Sequence, residues 1–100
     1  MGGMRFAPFH VQHAVELGSN QAELYYENLK FHSVYAGKDG WFSRTASQIE
    51  ADINQKRYIQ DACRKILVSK SWIVCRLDNK RPPTICFRVL KTDTHTVLRK

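Results

Sequence analysis

An α+β fold, mostly α, follows from three observations. A short helix opening at Thr45 with Gln48 three residues on, then a helix dense in Lys and Arg, occupy residues 43–69. Two β-branched and aromatic runs joined by a basic, proline-containing loop follow directly. Charge is divided unevenly: residues 1–50 hold four Lys and Arg against five acids, a net of −1, while residues 51–100 hold twelve against four, a net of +8. This order of elements is that of a winged helix-turn-helix, with three to four helices and a β-hairpin wing. Positive charge concentrated on its helix and wing makes nucleic acid the first partner to consider.

A chain of 100 residues with 43% apolar content supports one modest core. The expected organisation is a flexible leader at 1–8, a winged helix-turn-helix domain at 9–91 and a C-terminal tail at 92–100. No run approaches the roughly 18 apolar residues that cross a bilayer, and no charged-then-apolar leader opens the chain. A soluble, unexported protein in the cytoplasm is expected, without a membrane partner. Cys63, Cys75 and Cys86 have no CxxC spacing, so free thiols in a reducing compartment are expected, although Cys75 and Cys86 fall on the two hairpin strands and can face each other.

Val11, Ala14, Val15 and Leu17 fit one face of a short helix from Phe9 to Leu17, and Gly18 is placed to end it in the left-handed conformation. Asn20 opens a second helix, with Glu23 at capping-box spacing and Ala22, Tyr25, Tyr26 and Leu29 recurring inward. Its aromatics, with Phe31 and Tyr35, are core by default, and any surplus suits a dimer or partner surface. Gly37 and Gly40 bracket a turn before an extended segment at Trp41 and Phe42. Thr45 with Gln48, or Ser47 with Glu50 in a competing register, caps a short helix that turns Ala46, Ile49 and Ile53 inward. Asn54 then caps the next helix, whose buried stripe is Ile59, Ala62, Cys63, Ile66 and Leu67, leaving Gln55, Lys56, Arg57, Gln60, Arg64 and Lys65 on the other sides. Residues 72–77 and 84–90 form the hairpin, with Pro82 and Pro83 stiffening its tip.

In such a scaffold the second helix of the pair enters the major groove. Arg pairs there with guanine through two donors, and Gln or Asn pairs with adenine through a donor and an acceptor. Gln55, Lys56, Arg57, Gln60 and Arg64 are the types required. Asn79, Lys80 and Arg81 at the wing tip suit phosphates or the minor groove, and Arg44 with Thr45 suits a phosphate at the positive end of the supporting helix. Taken singly, each has a plainer reading: Gln55 and Lys56 as ordinary exposed residues, Arg57 paired with Asp61, and Lys80 with Arg81 discouraging strand-edge aggregation.

No enzyme is expected. The chain has no glycine-rich phosphate loop and no nucleophile elbow, and Glu16, Glu23, Glu27, Glu50, Asp52 and Asp61 are spread over helix surfaces. His10 and His13 share a face at i, i+3, but no third ligand stands at metal spacing, so neither a metal nor another cofactor is predicted.

The segments FAPFHVQHAVELGSNQAELYYENLKF, GKDGWFSRTASQIEADI and QKRYIQDACRKILVSKSWI, followed by a hairpin, resemble the winged-helix region at the front of phage and prophage replication proteins, the initiators or replisome organisers. The matching positions are Phe9, Leu17, Gly18, Asn20, Ala22, Gly40, Trp41, Ile49, Ile59, Leu67, Trp72 and Ile73, and the pattern covers about nine-tenths of the chain. Ser71 stands where the pattern has glycine, and the family continues into a helicase-recruiting segment where this chain stops at Lys100. The resemblance implies a mobile-element origin and a winged-helix fold. Two roles follow: binding double-stranded operator or origin DNA, as a homodimer reading two half-sites, or acting as a phage-encoded inhibitor that binds a host protein or nucleoprotein complex such as a CRISPR effector.

Overall fold

In a computed structural model, residues 9–78 and 84–91 are described. The chain runs α1 (Val11–Leu17), α2 (Asn20–His32), a single 3-10 turn (Ser33–Tyr35), β1 (Trp41–Arg44), α3 (Ala46–Ile53), α4 (Arg57–Ser69), β2 (Ile73–Asp78) and β3 (Thr84–Val89). The three strands form one antiparallel sheet in the order β1-β3-β2. The expected leader, wing tip and tail, including Asn79, Lys80 and Arg81, lie outside the described residues. Among the described residues no helix is long and apolar enough to cross a membrane.

Helix α2 is the hub: it is buried on several sides, with Glu23, Glu27 and Asn28 enclosed as well as its apolar residues. Ala22, Tyr25, Tyr26 and Leu29 are all buried, together with Ile49 and Ile53 of α3, Cys63 and Leu67 of α4, Trp72, Ile73 and Phe87. The rings meet edge-on: Tyr25 with Phe87 at 6.3 Å and Tyr26 with Trp72 at 5.1 Å between centroids. Such pairs add directional attraction to the area they remove from water. Phe87 is the central strand's contribution to the core, so the sheet lies with that face on the helices.

Local signals end the helices largely as expected. Gly18 (φ 70°) closes α1, and Asn54 (φ 56°) closes α3 in the left-handed conformation that Asn tolerates. Asn54 is therefore the C-terminal residue of one helix, not the cap of the next, and α4 begins only at Arg57. Ser71, at the glycine position of the resemblance, also takes a left-handed backbone (φ 62°), so the turn keeps its geometry at a conformational cost. Helix α2 is capped by Ser19, whose hydroxyl accepts from the Ala22 amide at 3.0 Å, and Glu23 turns inward instead of completing a capping box. Val11 and Val15 face outward on α1, because His13, Ala14 and Leu17 form its inner face.

The hairpin register settles the cysteines. Cys75 lies opposite Phe87 and Cys86 opposite Arg76, a one-residue offset that separates the two thiols, and all three cysteines are free. Burial pushes the Cys63 thiol up to about 11, so it serves as a protonated packing residue. Backbone amides of Leu90 and Lys91 donate to the Trp72 carbonyl at 2.8 and 3.1 Å and close the base of the hairpin.

Candidate nucleic-acid interface

Thr45 and Gln48 form a reciprocal box at the start of α3. The Thr45 hydroxyl accepts from the Gln48 amide at 3.1 Å, and Gln48 Oε1 accepts from the Thr45 amide at 3.0 Å. This satisfies two of the amides that a helix start leaves without partners. The Thr45 side chain is thus engaged in holding the helix, and only its outward side remains for a ligand.

Two residues expected to read bases are buried. Gln55 is 3% exposed and Gln60 is 1% exposed. Gln55 Nε2 donates to the Gln21 carbonyl at 2.9 Å, fastening the α3–α4 turn to α2. Gln60 Nε2 donates to the Ala46 carbonyl at 3.0 Å and to the Gln55 carbonyl at 2.9 Å, fastening α4 to the start of α3. Gln60 stands at i, i+3, i+7 with Cys63 and Leu67 and shares their buried line, where its amide meets backbone carbonyls of the α3–α4 turn and the α3 start. Ala62, assigned to that stripe from its apolarity, is exposed. The pair braces the helix and takes no part in reading a groove.

Both flanking arginines are also committed. The Arg44 guanidinium donates to Asp52 Oδ2 at 2.6 Å, where Asn28 Nδ2 donates at 3.0 Å and His32 Nε2 lies at 3.0 Å. Burial opposes charge on Asp52, but the bonds from Asn28 and His32 and the Arg44 charge outweigh it and hold the carboxyl below its ordinary value. Arg44 therefore ties β1 to α3 instead of waiting for a phosphate. Arg64 donates to Asp61 and, at 3.3 Å, to the Tyr25 hydroxyl, joining α4 to α2. Burial pushes that hydroxyl up to about 12 against the opposing pull of Arg64.

The outward side of α4 carries Arg57, Tyr58, Ala62, Lys65, Val68 and Ser69, all exposed. Arg57 pairs with no acid, because Asp61 is taken by Arg64, and Lys65 likewise has no ion pair among the described residues. Lys56 caps the helix start and lies 3.4 Å from Glu50, with both side chains well exposed. Such a pair contributes little and opens readily to a ligand. Tyr58 is 73% exposed. Sequence periodicity gave no weight to Tyr58 or Lys65 as ligand contacts, although their spacing from Arg57 places all three on one helical side.

Beside this face runs a groove of about 380 Å³, bounded by Thr45, Ala46 and Ser47 of the α3 start, by Arg57, Asp61 and Arg64 of α4, and by Leu77 and Ile85 of the hairpin. Arg64 is paired with Asp61 there, so Arg57, beside the α3 start, is the cation left to meet an anionic oxygen.

At the opposite edge of α2 a second group forms. His10, His13, Glu23 and Glu27 present ligand-type atoms that all lie within 4.8 Å of one another. The expectation that the two histidines lack further ligands does not hold, because the carboxylates come from the facing helix. Nor are Glu23 and Glu27 surface acids: both are fully buried.

Set against protein-family models, curated proteins and solved structures, the chain matches none of them.

Proposed function

We propose that this protein is a small winged-helix module that binds double-stranded DNA by laying the outward side of α4 in the major groove. The observation that carries the reading is the division of labour on α4. Gln55 and Gln60 are spent on bracing it, while Arg57, Tyr58 and Lys65 stand exposed along it without acidic partners among the described residues. The order α2–β1–α3–α4–β2–β3 with sheet order β1-β3-β2 supports the same reading, since it sets a hairpin beside the presented helix.

Arg57, at the start of α4, is the base-reading candidate, with two parallel donors for a guanine edge. Lys56 and Lys65 supply phosphate contacts, and Tyr58 offers a hydroxyl to a phosphate or its ring to a thymine methyl. The groove at the α3 start holds a further phosphate. Operator or origin DNA read as two half-sites by a homodimer fits the limited surface one such module can bury.

The test is selection of bound sequences from random duplex DNA at physiological salt. An enriched sequence is expected, with Arg57→Ala relaxing discrimination and costing about 1–3 kcal/mol in binding. Lys65→Ala is expected to weaken all duplexes alike and to reduce the log–log salt slope by about 0.9.

A second reading rests on a different observation. Tyr58, Val68 and Leu77 are apolar or aromatic and exposed. That mixture also suits a protein surface, as a host-directed inhibitor would need. Absence of any enriched duplex, with binding insensitive to salt, favours that reading over the first.

A further inference from the structure

Glu23 and Glu27 are both fully buried, and a buried carboxyl is carried either neutral or beside a positive charge. The four groups that meet there bring ligand-type atoms within 4.8 Å of one another, close enough for small side-chain shifts to gather them on one ion. His10 Nδ1 lies 2.9 Å from Glu27 Oε2 and 3.7 Å from Glu23 Oε2, and His13 Nδ1 lies 3.2 Å from Glu23 Oε1 and 3.1 Å from Glu27 Oε2. A tetrahedral ion with bonds of about 2.0–2.1 Å to nitrogen and oxygen sets its ligands about 3.3–3.4 Å apart, inside that range. The imidazole rings are 4.8 Å apart and both turn Nδ1 to the same point.

Hydrogen bonds alone do not complete this group. Glu27 Oε1 is buried and has no hydrogen-bond partner, an orphaned lone pair within a fully buried carboxylate. Glu23, by contrast, is already oriented as an outer brace would leave a ligand: its Oε2 accepts from the His10 backbone amide at 2.8 Å. His13 is held between the Tyr26 and Trp72 rings, at 5.6 and 5.2 Å, which fixes its plane.

We infer that His10, His13, Glu23 and Glu27 bind one divalent transition-metal ion, Zn²⁺ foremost, which clamps α1 to α2. Two neutral imidazoles and two carboxylates balance the charge of such an ion, and a nitrogen–oxygen donor set of four closes a structural site with no position left for a reacting molecule. His10, with a third of its side chain exposed, gives the ion its way in. The clamp has a clear structural use. Helix α1 contributes only Ala14 and Leu17 to the buried apolar set, so burial alone holds it weakly. This inference does not depend on what α4 binds.

The test uses the full chain after dialysis against a chelator. One equivalent of Zn²⁺ is expected to bind by calorimetry and, at a hundredfold excess over Kd, to raise Tm by about 10–20 °C. Co²⁺ is expected to give the intense visible absorption of a four-coordinate ion and to quench the fluorescence of Trp72, which lies against His13. Glu27→Gln should weaken Zn²⁺ at least a hundredfold and remove the Co²⁺ spectrum. His10→Ala should do the same, and its ring makes no helix-capping bond, so that variant carries the test if Glu27→Gln fails to fold. Absence of one-equivalent binding by the parent overturns the inference, as does binding that survives both substitutions, because the ion is then held elsewhere.

Discussion

Gln60→Glu separates a brace from a base reader by stability alone. At 1% exposure, Gln60 Nε2 donates to two carbonyls, those of Ala46 and Gln55. A carboxylate in the same place would face both carbonyl oxygens with no proton to offer. The folded protein must instead take up a proton, which restores one of the two bonds. Unfolded, the introduced carboxyl titrates near 4.3, so protonating it at pH 7 costs about 1.36 × 2.7, or about 4 kcal/mol. The lost second bond adds about 1 kcal/mol. The total of about 5 kcal/mol is comparable with the whole stability of a small domain. The folded pKa of the introduced group is raised, so the proton penalty is absent below about pH 4 and grows as pH rises, leaving only about 1 kcal/mol in acid. Urea unfolding of parent and variant, compared at pH 4 and pH 7, reads the difference directly. A midpoint at pH 7 within about 0.5 kcal/mol of the parent, as for an exposed helix position, would refute the buried brace and return Gln60 to the groove-facing side.

Three further outcomes are expected. Asp52→Asn should lower stability at neutral pH by about 1–3 kcal/mol, by removing a charged acceptor from Arg44, His32 and Asn28. The Asp52 carboxyl is held below its ordinary value, so its contribution is present above the unfolded pKa, and the parent–variant difference should fade as pH drops through the folded pKa; thermal unfolding from pH 7 to pH 2 checks the sign. Ser71→Gly relieves a left-handed serine at an exposed turn and should gain about 0.5–1 kcal/mol, measured as a higher urea midpoint. Arg57→Ala should leave that midpoint unchanged within about 0.5 kcal/mol, since Arg57 is exposed and has no ion pair among the described residues.

What was legible in the sequence is what depends on neighbours a few residues away. Gly18, the Thr45–Gln48 box and the change of period after Lys70 each declare themselves within one turn, and each stands where expected. Gln55 and Gln60 were opaque for the opposite reason. A buried amide whose partners are backbone carbonyls leaves the same letter as an exposed one, and Ala62 is small enough to fit either side. The rest of the stripe on α4 stands as expected, with Cys63 and Leu67 buried and Ile59 and Ile66 packed against the core. Arg44 was read as a free cation because its partner, Asp52, comes from another element, and Arg64 because Asp61, on its own helix at i, i+3, was assigned to Arg57 instead. The histidine–glutamate group was missed most completely. Its histidines and glutamates are 10 to 17 residues apart, and an acid on a helix is expected outside unless something buried demands it.

The account stands or falls on which face of the domain meets a duplex. Titrating labelled protein with the selected DNA and following backbone amide resonances locates that face residue by residue. The largest shifts are expected at Lys56, Arg57, Tyr58 and Lys65 and at the α3 start from Thr45 to Ser47, with Val11 and Val15 on α1 unmoved. Shifts centred on α1, or none along α4 while DNA is bound, would contradict it.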